Sequence, residues 1–367
     1  MQISYKKLES ILKKQSRVLI VRGESSYSLS GLENFFNNFN NINRAHYWVV
    51  RSKDPDLKEI EDLSSFISKI KPSIILSCGG GTVIDTAKAA SFLFRQSFDL
   101  LSLIEGKRKQ DSQKILDIAI PTTCGTGSES THFSVIYVDN VKYSLADQSM
   151  KPDSFYLDGS FLVNLPSKHL ISSSLDAFSQ SIESYWAQSS TKESKVLSCE
   201  GMALFSENYK SLLSSNNLNQ LNSMLVCANK AGKAINITKT TAPHAISYYL
   251  SKSLNLPHGF SVFLTLPEIF EFTLSKIIVY KDKLDVEKIF KSLGVANLDD
   301  SLIYLEKIRQ EAATYMNLPN LSLVEIEDLA LRASESVNQE RLSNHPIVLD
   351  KEVIFQLTCK GLKKIFL

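Results

Sequence analysis

The sequence predicts an α/β domain with a parallel sheet, followed by an all-α domain. Over the first 160 residues short apolar runs alternate with helical patterns, whereas from about residue 172 onward the periodicity is helical almost everywhere. The chain has 367 residues, and a single core seldom grows beyond roughly 250 residues. Asp158 and Gly159 are typical of a break between domains. We therefore predict an α/β domain over residues 1–162 and a helical domain over residues 163–367.

The strands of the first domain are predicted from four compact apolar runs of the kind found in strands buried on both faces. These runs lie at residues 18–21, 47–50, 74–76 and 115–120. Between the second and third runs, apolar residues recur at steps of three and four and form one helical stripe: Leu57, Ile60, Leu63, Ile67 and Ile70. Strand, helix and strand in succession predict right-handed crossovers and a parallel sheet.

Composition excludes several classes of protein. Lys and Arg number 41 against 39 Asp and Glu, which gives a net charge of +2 and argues against a general nucleic-acid binder. The five cysteines are scattered without a C-x-x-C pair, which fits a reducing compartment. The N-terminus does not resemble a signal peptide, and no apolar stretch in the sequence approaches the roughly 18 residues of a membrane span. We expect a soluble cytoplasmic protein without nucleic-acid or membrane partners.

Two loops follow neighbouring predicted strands. The first contains Gly79, Gly80, Gly81 and Thr82 and leads into a helix. Glycines let the backbone approach a ligand, and a helix N-terminus attracts phosphate, although a tight structural turn has the same composition. The second loop, at residues 121–129, is rich in Thr, Ser and Gly, and open α/β sheets bind ligands at the carboxyl ends of their strands. Together the two loops favour nucleotide binding over two structural turns.

The helical half contains a candidate metal site. Asp176 and Gln180 lie one helical turn apart, and His244 and His258 each adjoin a proline. A carboxylate and two imidazoles form a ligand set for Zn²⁺ or Fe²⁺ that leaves a position open for substrate. Taken alone, an Asp and a Gln at this spacing are more often a solvated or capping face, and two such histidines are more often capping or core residues.

Four motifs in order resemble the iron-containing (group III) alcohol dehydrogenase family over nearly the whole chain. They are GGGTVIDTAK at 79–88, PTTCGTGSES at 121–130, LDAFSQSIESYW at 175–186, and the APHA and PHGFSVFLTLP segments that end at Pro267. The resemblance implies an N-terminal Rossmann-like domain that binds a nicotinamide dinucleotide and a helical domain that binds one divalent metal. It also implies reaction in the cleft between the domains, and a homodimer.

The resemblance implies roles for individual residues. The triple glycine and Thr82 would hold the diphosphate, and further cofactor contacts would come from Asp85, Thr122, Thr123, Thr126, Ser128, Lys142 and Leu145. Asp176, His244 and His258 fall on three metal-ligand positions, and His258 is therefore also a catalytic candidate. The fourth position is normally histidine but is Gln180 here, so a four-ligand site, a three-ligand site with water, and no metal all remain open. Tyr248 stands where the family often has another histidine, and it is either a proton donor or part of the cleft wall.

Cofactor and substrate are also suggested by local sequence. Gly23, with Ser25 nearby, occupies the position where NAD-preferring relatives place an acid, which favours NADPH over NADH, although Glu24 opposes this. The segment AGKAINITKTTAPHAISY at 231–248, together with the histidine-to-glutamine exchange at Gln180, resembles the phosphonoacetaldehyde reductases, a branch of this family. Lys239, Thr240 and Thr241 would then form a phosphonate pocket, although the same residues are also ordinary helix-capping material.

We thus expect a metal-dependent reductase that converts an aldehyde to a primary alcohol, with phosphonoacetaldehyde to 2-hydroxyethylphosphonate as the favoured reaction. The alternatives are a polyol or neutral-aldehyde dehydrogenase of the same family, a dehydroquinate-synthase-like lyase, and an inactive dinucleotide-binding protein.

Overall fold

A parallel sheet organises the N-terminal part of the chain in the computed structural model, which describes residues 1–39, 45–109, 114–139, 141–214, 217–280 and 284–367. The chain divides into two units. The N-terminal unit contains Met1–Thr123 and Gly127–Leu165, and the C-terminal unit contains Cys124–Thr126 and Pro166–Leu367. The division after Leu165 lies three residues beyond the boundary expected from the sequence.

The strands of the N-terminal unit form a five-stranded parallel sheet and a separate antiparallel hairpin. In chain order they are β1 (Val18–Gly23), β2 (His46–Val50), β3 (Ile74–Gly79), β4 (Leu116–Pro121), β5 (Phe133–Val138), β6 (Val141–Ala146) and β7 (Ser154–Phe155). The sheet order is β2-β1-β3-β4-β7, and β5 pairs with β6 in the hairpin. Gly79 is the register partner of Pro121, so the loops that follow β3 and β4 leave the sheet side by side.

The helices of this unit include the one predicted from the apolar stripe. They are α1 (Tyr5–Leu12), α2 (Ser26–Leu29), α3 (Leu32–Asn37), α4 (Leu57–Ile70), α5 (Gly81–Leu93) and α6 (Leu100–Ile104). In the core, Ile60, Leu63 and Ile67 of α4 belong to one apolar cluster with Leu19 and Ile75 of the sheet, and all five are fully buried. Burial of each such side chain stabilises the unit by about 1.5–3 kcal/mol.

Helices are the regular elements of the C-terminal unit in the described part of the chain. Its helices are α7 (Ser167–Trp186), α8 (Lys192–Ser214), α9 (Leu218–Thr238), α10 (Ala242–Leu254), α11 (His258–Phe263), α12 (Leu266–Tyr280), α13 (Val286–Leu293), α14 (Leu298–Ala313), α15 (Leu323–Glu335), α16 (Gln339–Leu342) and α17 (Lys351–Phe366). Helix α7 packs against α8, α9 and α11, and nearly all of its residues are buried. None of the described helices combines the length and the apolar character needed to cross a membrane.

The predicted fold class is confirmed, but two details differ from the sequence prediction. The Ser- and Asn-rich composition of residues 211–222 predicts a surface connection between helices, whereas α8 extends to Ser214 and α9 begins at Leu218, so most of this stretch is helical. Buried Leu212 and Leu221 supply helical core positions, and the Asn217 side chain caps α9. The β5–β6 hairpin was not predicted, because its exposed, polar β6 lacks a continuous apolar run.

The core of the C-terminal unit contains a histidine that makes its stability depend on pH. His345 is 1% exposed, its Nε2 lies 3.0 Å from Thr273 Oγ1, and its ring meets that of Trp186 edge-on at 5.6 Å. Burial lowers the pKa of His345 to about 3. The unfolded chain takes up a proton near the ordinary pKa of about 6.5, so the contribution of neutral His345 is complete above that pH and is lost as the pH falls toward 3.

We predict that lowering the pH from 7.5 to 5 costs the wild-type C-terminal unit about 2 kcal/mol more than a His345→Asn variant. Urea unfolding of both proteins at the two pH values, in the presence of a chelator, measures this difference. Equal pH dependence of the two proteins would contradict the assignment.

Candidate active site

Three polar side chains share one face of the buried helix α7. Asp176, Gln180 and Glu183 follow one another at steps of four and three residues, which places them on one side of a helix. They are 4%, 4% and 0% exposed, respectively. Charged side chains are almost never buried without a partner, so this face must meet complementary groups.

Two histidines from separate helices meet this face. His244 lies in the first turn of α10 after Pro243, and His258 begins α11 after Pro257; proline suits such helix starts because its φ is already helical. His244 Nε2 lies 3.1 Å from Asp176 Oδ1, and His258 Nε2 lies 4.0 Å from the same oxygen. One ligand atom from each of the three residues lies within 4.8 Å of the other two.

A glycine allows α11 to approach α7 this closely. A Cβ atom on Gly259 would lie 1.9 Å from the Ser172 carbonyl oxygen and 2.8 Å from Asp176 Cβ. The next residue, Phe260, donates its backbone N–H to Ser172 Oγ at 3.1 Å. Because Gly259 directly follows His258, this contact sets the distance between His258 and Asp176.

The electrostatics of the cluster are dominated by its carboxylates. Burial alone would raise the pKa of Asp176, but the hydrogen bond with His244, the charge of His258 and the Gln180 side chain hold it below its usual range. Burial alone would lower the pKa of His244, but Glu183 and Asp176 raise it to about 10. Asp176 is therefore an anion at neutral pH, and the cluster attracts a cation.

The donor set fits a divalent transition metal ion. One carboxylate oxygen and two imidazole nitrogens converge, and Gln180 contributes a buried Oε1 that has no hydrogen-bond partner among the described residues. An amide oxygen can serve as a further, neutral ligand. Tyr248, one turn after His244 on α10, stacks its ring on His258 at 6.0 Å between centroids, so its phenol belongs to the same cluster.

The three residues predicted to bind a phosphonate differ from one another in burial and in hydrogen-bond partners. Lys239 is the C-cap residue that follows α9 and pairs through Nζ with Glu340, and Thr240 is 4% exposed. Thr241 is 0% exposed, donates its hydroxyl to Glu183 Oε1 at 3.0 Å and accepts from Trp186 Nε1 at 3.0 Å. The only hydroxyl proton of Thr241 is therefore used inside the fold, and the expected contact of Thr241 with substrate is not supported.

The glycine loop of the N-terminal unit has the form of an anion cradle. Helix α5 begins at Gly81, and its N-cap residue, Gly80, has no side chain to occupy the first-turn N–H groups. A Cβ on Gly80 would lie 3.2 Å from the Thr123 side chain, and Thr82 Oγ1 donates to the Lys53 carbonyl at 3.0 Å. The neighbouring loop is tied to Gly79, whose carbonyl accepts the Thr122 N–H at 3.0 Å.

Other predicted cofactor residues are arranged as follows. Thr122 Oγ1 is buried without a partner in the described part of the chain, whereas Thr126 is exposed. Gly23 ends β1, where a Cβ would lie 2.3 Å from Ser26 Oγ, and exposed Ser25 precedes α2.

Three residues predicted to contact the cofactor, Asp85, Ser128 and Leu145, have partners or surroundings inside the fold. Ser128 donates its hydroxyl to Asp85, and buried Lys88 pairs with Asp85 Oδ1 at 3.0 Å and donates to Ser128 Oγ at 2.9 Å. Leu145 is 1% exposed in the apolar core, whereas Lys142 on the same strand is half-buried. The internal contacts of Asp85 and Ser128, and the burial of Leu145, favour structural roles over direct contact with a dinucleotide.

Sequence reasoning missed Glu183. Its carboxylate contacts His244 Nδ1, opposite the nitrogen that faces Asp176. The sequence contains a feature that could have identified it: Glu183 lies seven residues after Asp176 and three after Gln180, on the same helical face.

Comparisons with known proteins agree with this geometry. The family model described as "Iron-containing alcohol dehydrogenase" matches residues 3–159, and the one described as "Fe-containing alcohol dehydrogenase family, C-terminal" matches residues 170–361. The chain is 30% identical over 256 residues to a 4-hydroxybutyrate dehydrogenase of Clostridium kluyveri, covering 68% of this chain and 67% of that protein.

Two further similarities extend the comparison. A probable alcohol dehydrogenase EutG of Escherichia coli is 30% identical over 219 residues, 58% of this chain and 55% of that protein, so the match spans about half of that relative. The solved sulfoacetaldehyde reductase from Bifidobacterium kashiwanohense, in complex with NAD⁺, has a TM-score of 0.82 at 20% identity, covering 96% of this chain and 93% of that one. At that identity the structural likeness supports the fold alone.

We predict that Gly259→Ala abolishes tight binding of a divalent metal, because its methyl group forces α11 away from α7. Gly201→Ala is the matched control, since its Cβ would meet the Ser181 hydroxyl, which can rotate. Elemental analysis after metal loading and desalting checks both variants. Full metal content in a folded Gly259→Ala protein would contradict the importance of this contact.

Proposed function

Because the chain belongs to the iron-containing alcohol dehydrogenase family, we propose that it is a metal-dependent NAD(P)H oxidoreductase that reduces an aldehyde to a primary alcohol. Membership makes it an NAD(P)-dependent oxidoreductase of the alcohol dehydrogenase type. The observation that carries the proposal is the convergence of Asp176, His244 and His258 within 4.8 Å. A homodimer and a cytoplasmic location stay predictions from the sequence.

Asp176, His244 and His258 would hold the metal, with Gln180 Oε1 as the fourth protein ligand. When bound, the metal ion polarises an aldehyde oxygen and the reduced dinucleotide supplies hydride. The Gly79–Gly81 turn and the start of α5 would bind the diphosphate. Tyr248, stacked on His258, is placed beside the metal ligands and has a hydroxyl that can donate a proton to the product. Two imidazoles and a carboxylate with open positions favour Fe²⁺ or Zn²⁺.

NADPH is the proposed cofactor. Gly23 at the end of β1 provides no carboxylate where NAD-preferring relatives have an acid. The side chain of the neighbouring Arg22 is fixed by two contacts of its guanidinium group. Its Nη1 donates to the Gly23 carbonyl at 3.2 Å, and its guanidinium lies 4.9 Å from the centre of the Tyr27 ring. A fixed cation at this point attracts a 2′-phosphate.

The proposed substrate is a short aldehyde with an anionic tail, and phosphonoacetaldehyde is the favoured member. Lys239 supports this choice, because its half-exposed ammonium is paired with one equally exposed carboxylate, Glu340, that an incoming dianion can displace. The names of two similar proteins, a 4-hydroxybutyrate dehydrogenase and a sulfoacetaldehyde reductase, also refer to short compounds with an acidic group. Thr240 stays a candidate contact for the phosphonate group. Thr241 is left out of the proposed pocket, because its hydroxyl is hydrogen-bonded to Glu183 and Trp186.

We predict that His258→Ala lowers NADPH-dependent aldehyde reduction by at least about 100-fold, while NADPH binding measured by fluorescence stays within about twofold. The physical reason is the loss of one of three converging ligands. We expect NADPH to bind more tightly than NADH in the same assay. Normal rates of His258→Ala after exhaustive chelation would refute the role of the metal.

We predict that phosphonoacetaldehyde exceeds a neutral aldehyde of equal length in kcat/KM by at least about tenfold, and that Lys239→Ala removes most of this margin. Lys360→Ala is the matched control, because Lys360 forms a comparably exposed ion pair with Glu271. The assay also includes sulfonate and carboxylate aldehydes. Equal kcat/KM for the anionic and neutral aldehydes would eliminate the anion pocket.

A further inference from the structure

Glu183 is a completely buried carboxylate that the proposed chemistry does not use directly. It lies on α7, is 0% exposed, and directs both of its oxygens toward the start of α10. Removing an ionised carboxylate from water costs several kcal/mol unless hydrogen bonds and opposite charge compensate. The position of Glu183 in the fold therefore requires strong local partners.

These partners are divided between its two oxygens. Oε1 accepts from the Thr241 N–H at 2.9 Å, the Thr241 hydroxyl at 3.0 Å and the His244 N–H at 3.3 Å. Oε2 forms a hydrogen bond with His244 Nδ1. One carboxylate thus caps the first turn of α10 and holds the imidazole that α10 carries.

The contact with Nδ1 determines how His244 presents its other nitrogen. A histidine that donates Nδ1–H to a carboxylate keeps the Nε2 lone pair for a metal ion, and its ring cannot rotate without breaking that bond. In this chain Nε2 is the atom that faces Asp176. The side chain of His244 is 5% exposed, so water cannot replace Glu183 readily.

The balance of charge between the carboxylates and a divalent cation also supports a role for Glu183 in metal binding. With a neutral amide at Gln180, the converging ligands include one carboxylate, that of Asp176. Glu183 adds a second negative charge on the far side of the His244 ring, and two carboxylates balance one divalent cation. In a buried site such balance decides whether the cation can be accommodated.

We propose that Glu183 is the positioning residue of the metal site, fixing the orientation and tautomer of His244 and contributing the second negative charge that a divalent cation requires. This inference rests on the proposed function. It differs from a purely structural capping role, which would affect folding but not metal affinity.

The test compares the affinity of the full chain for Zn²⁺ and Co²⁺, by competition with a chromophoric chelator, in wild type and Glu183→Gln. We expect 10- to 100-fold weaker binding in the variant and an altered visible absorption spectrum of bound Co²⁺. Glu268→Gln is the matched control, because Glu268 is 1% exposed and pairs with buried Arg309. This control should lose stability and keep wild-type metal affinity and spectrum.

Two further variants keep the test decisive. Glu183→Asp keeps the negative charge but moves the carboxylate one methylene away from His244, so we expect weaker binding of Zn²⁺ and Co²⁺. This variant provides the test if Glu183→Gln does not fold. In a His244→Ala background the Glu183→Gln exchange should weaken Co²⁺ binding less than it does in wild type, because only the contribution of its charge is then lost.

The outcomes separate the two proposals. Unchanged affinity in folded Glu183→Gln or Glu183→Asp overturns the positioning role and leaves the proposed function intact. Equal losses in Glu183→Gln and Glu268→Gln also overturn it, because they would reflect stability alone. A wild-type protein that binds neither ion overturns the proposed function itself.

Discussion

The close approach of α11 to α7 is the constraint on which the candidate site depends. A metal ligand in the middle of a buried helix is useful only if another backbone comes within a few ångströms, and Gly259 allows this. The small side chains of α7 contribute too, since Ser174, Ser179 and Ser181 return their hydroxyls to carbonyls one turn earlier. These serines are buried yet hydrogen-bonded, which lets a polar helix occupy the interior.

Buried charge in the C-terminal unit is handled in two different ways. Arg309 is fully buried and meets Glu268 through two nitrogens, at 2.6 and 3.0 Å, and Glu306 and Lys364 complete a network in which two cations balance two carboxylates. The cluster around His244 has two carboxylates for one imidazole, Asp176 and Glu183. The first arrangement needs nothing further, whereas the second has excess negative charge next to a half-exposed histidine, His258. This contrast separates a structural ion pair from a cation site.

The sequence predicted those parts of the structure that depend on local patterns. The strands at 18–21 and 74–76 and the helix over Leu57–Ile70 follow from apolar periodicity, and Asp176, His244 and His258 were selected by resemblance. Glu183 escaped notice because an acidic residue on a helix is normally solvated, and only the approach of the start of α10 to α7 makes it a partner of His244. The surface connection predicted over 211–222 is largely replaced by the ends of α8 and α9 for a similar reason. Ser and Asn favour loops locally, but buried Leu212 and Leu221 decide the outcome.

Residues of the glycine-rich and threonine-rich motifs differ in role, because some would face a ligand and others hold the loops in place. Gly80 matters because it lacks a side chain at the start of α5, where a ligand's phosphate would approach the N–H groups. Asp85 and Ser128 belong to the same motifs, yet Lys88 binds both of them and also donates to Thr131 Oγ1 at 2.9 Å. A lysine with no exposed side-chain surface is stable only inside such a network. The network joins α5 to the second loop, so loss of Lys88 would displace both loops without removing any group that is proposed to bind the dinucleotide.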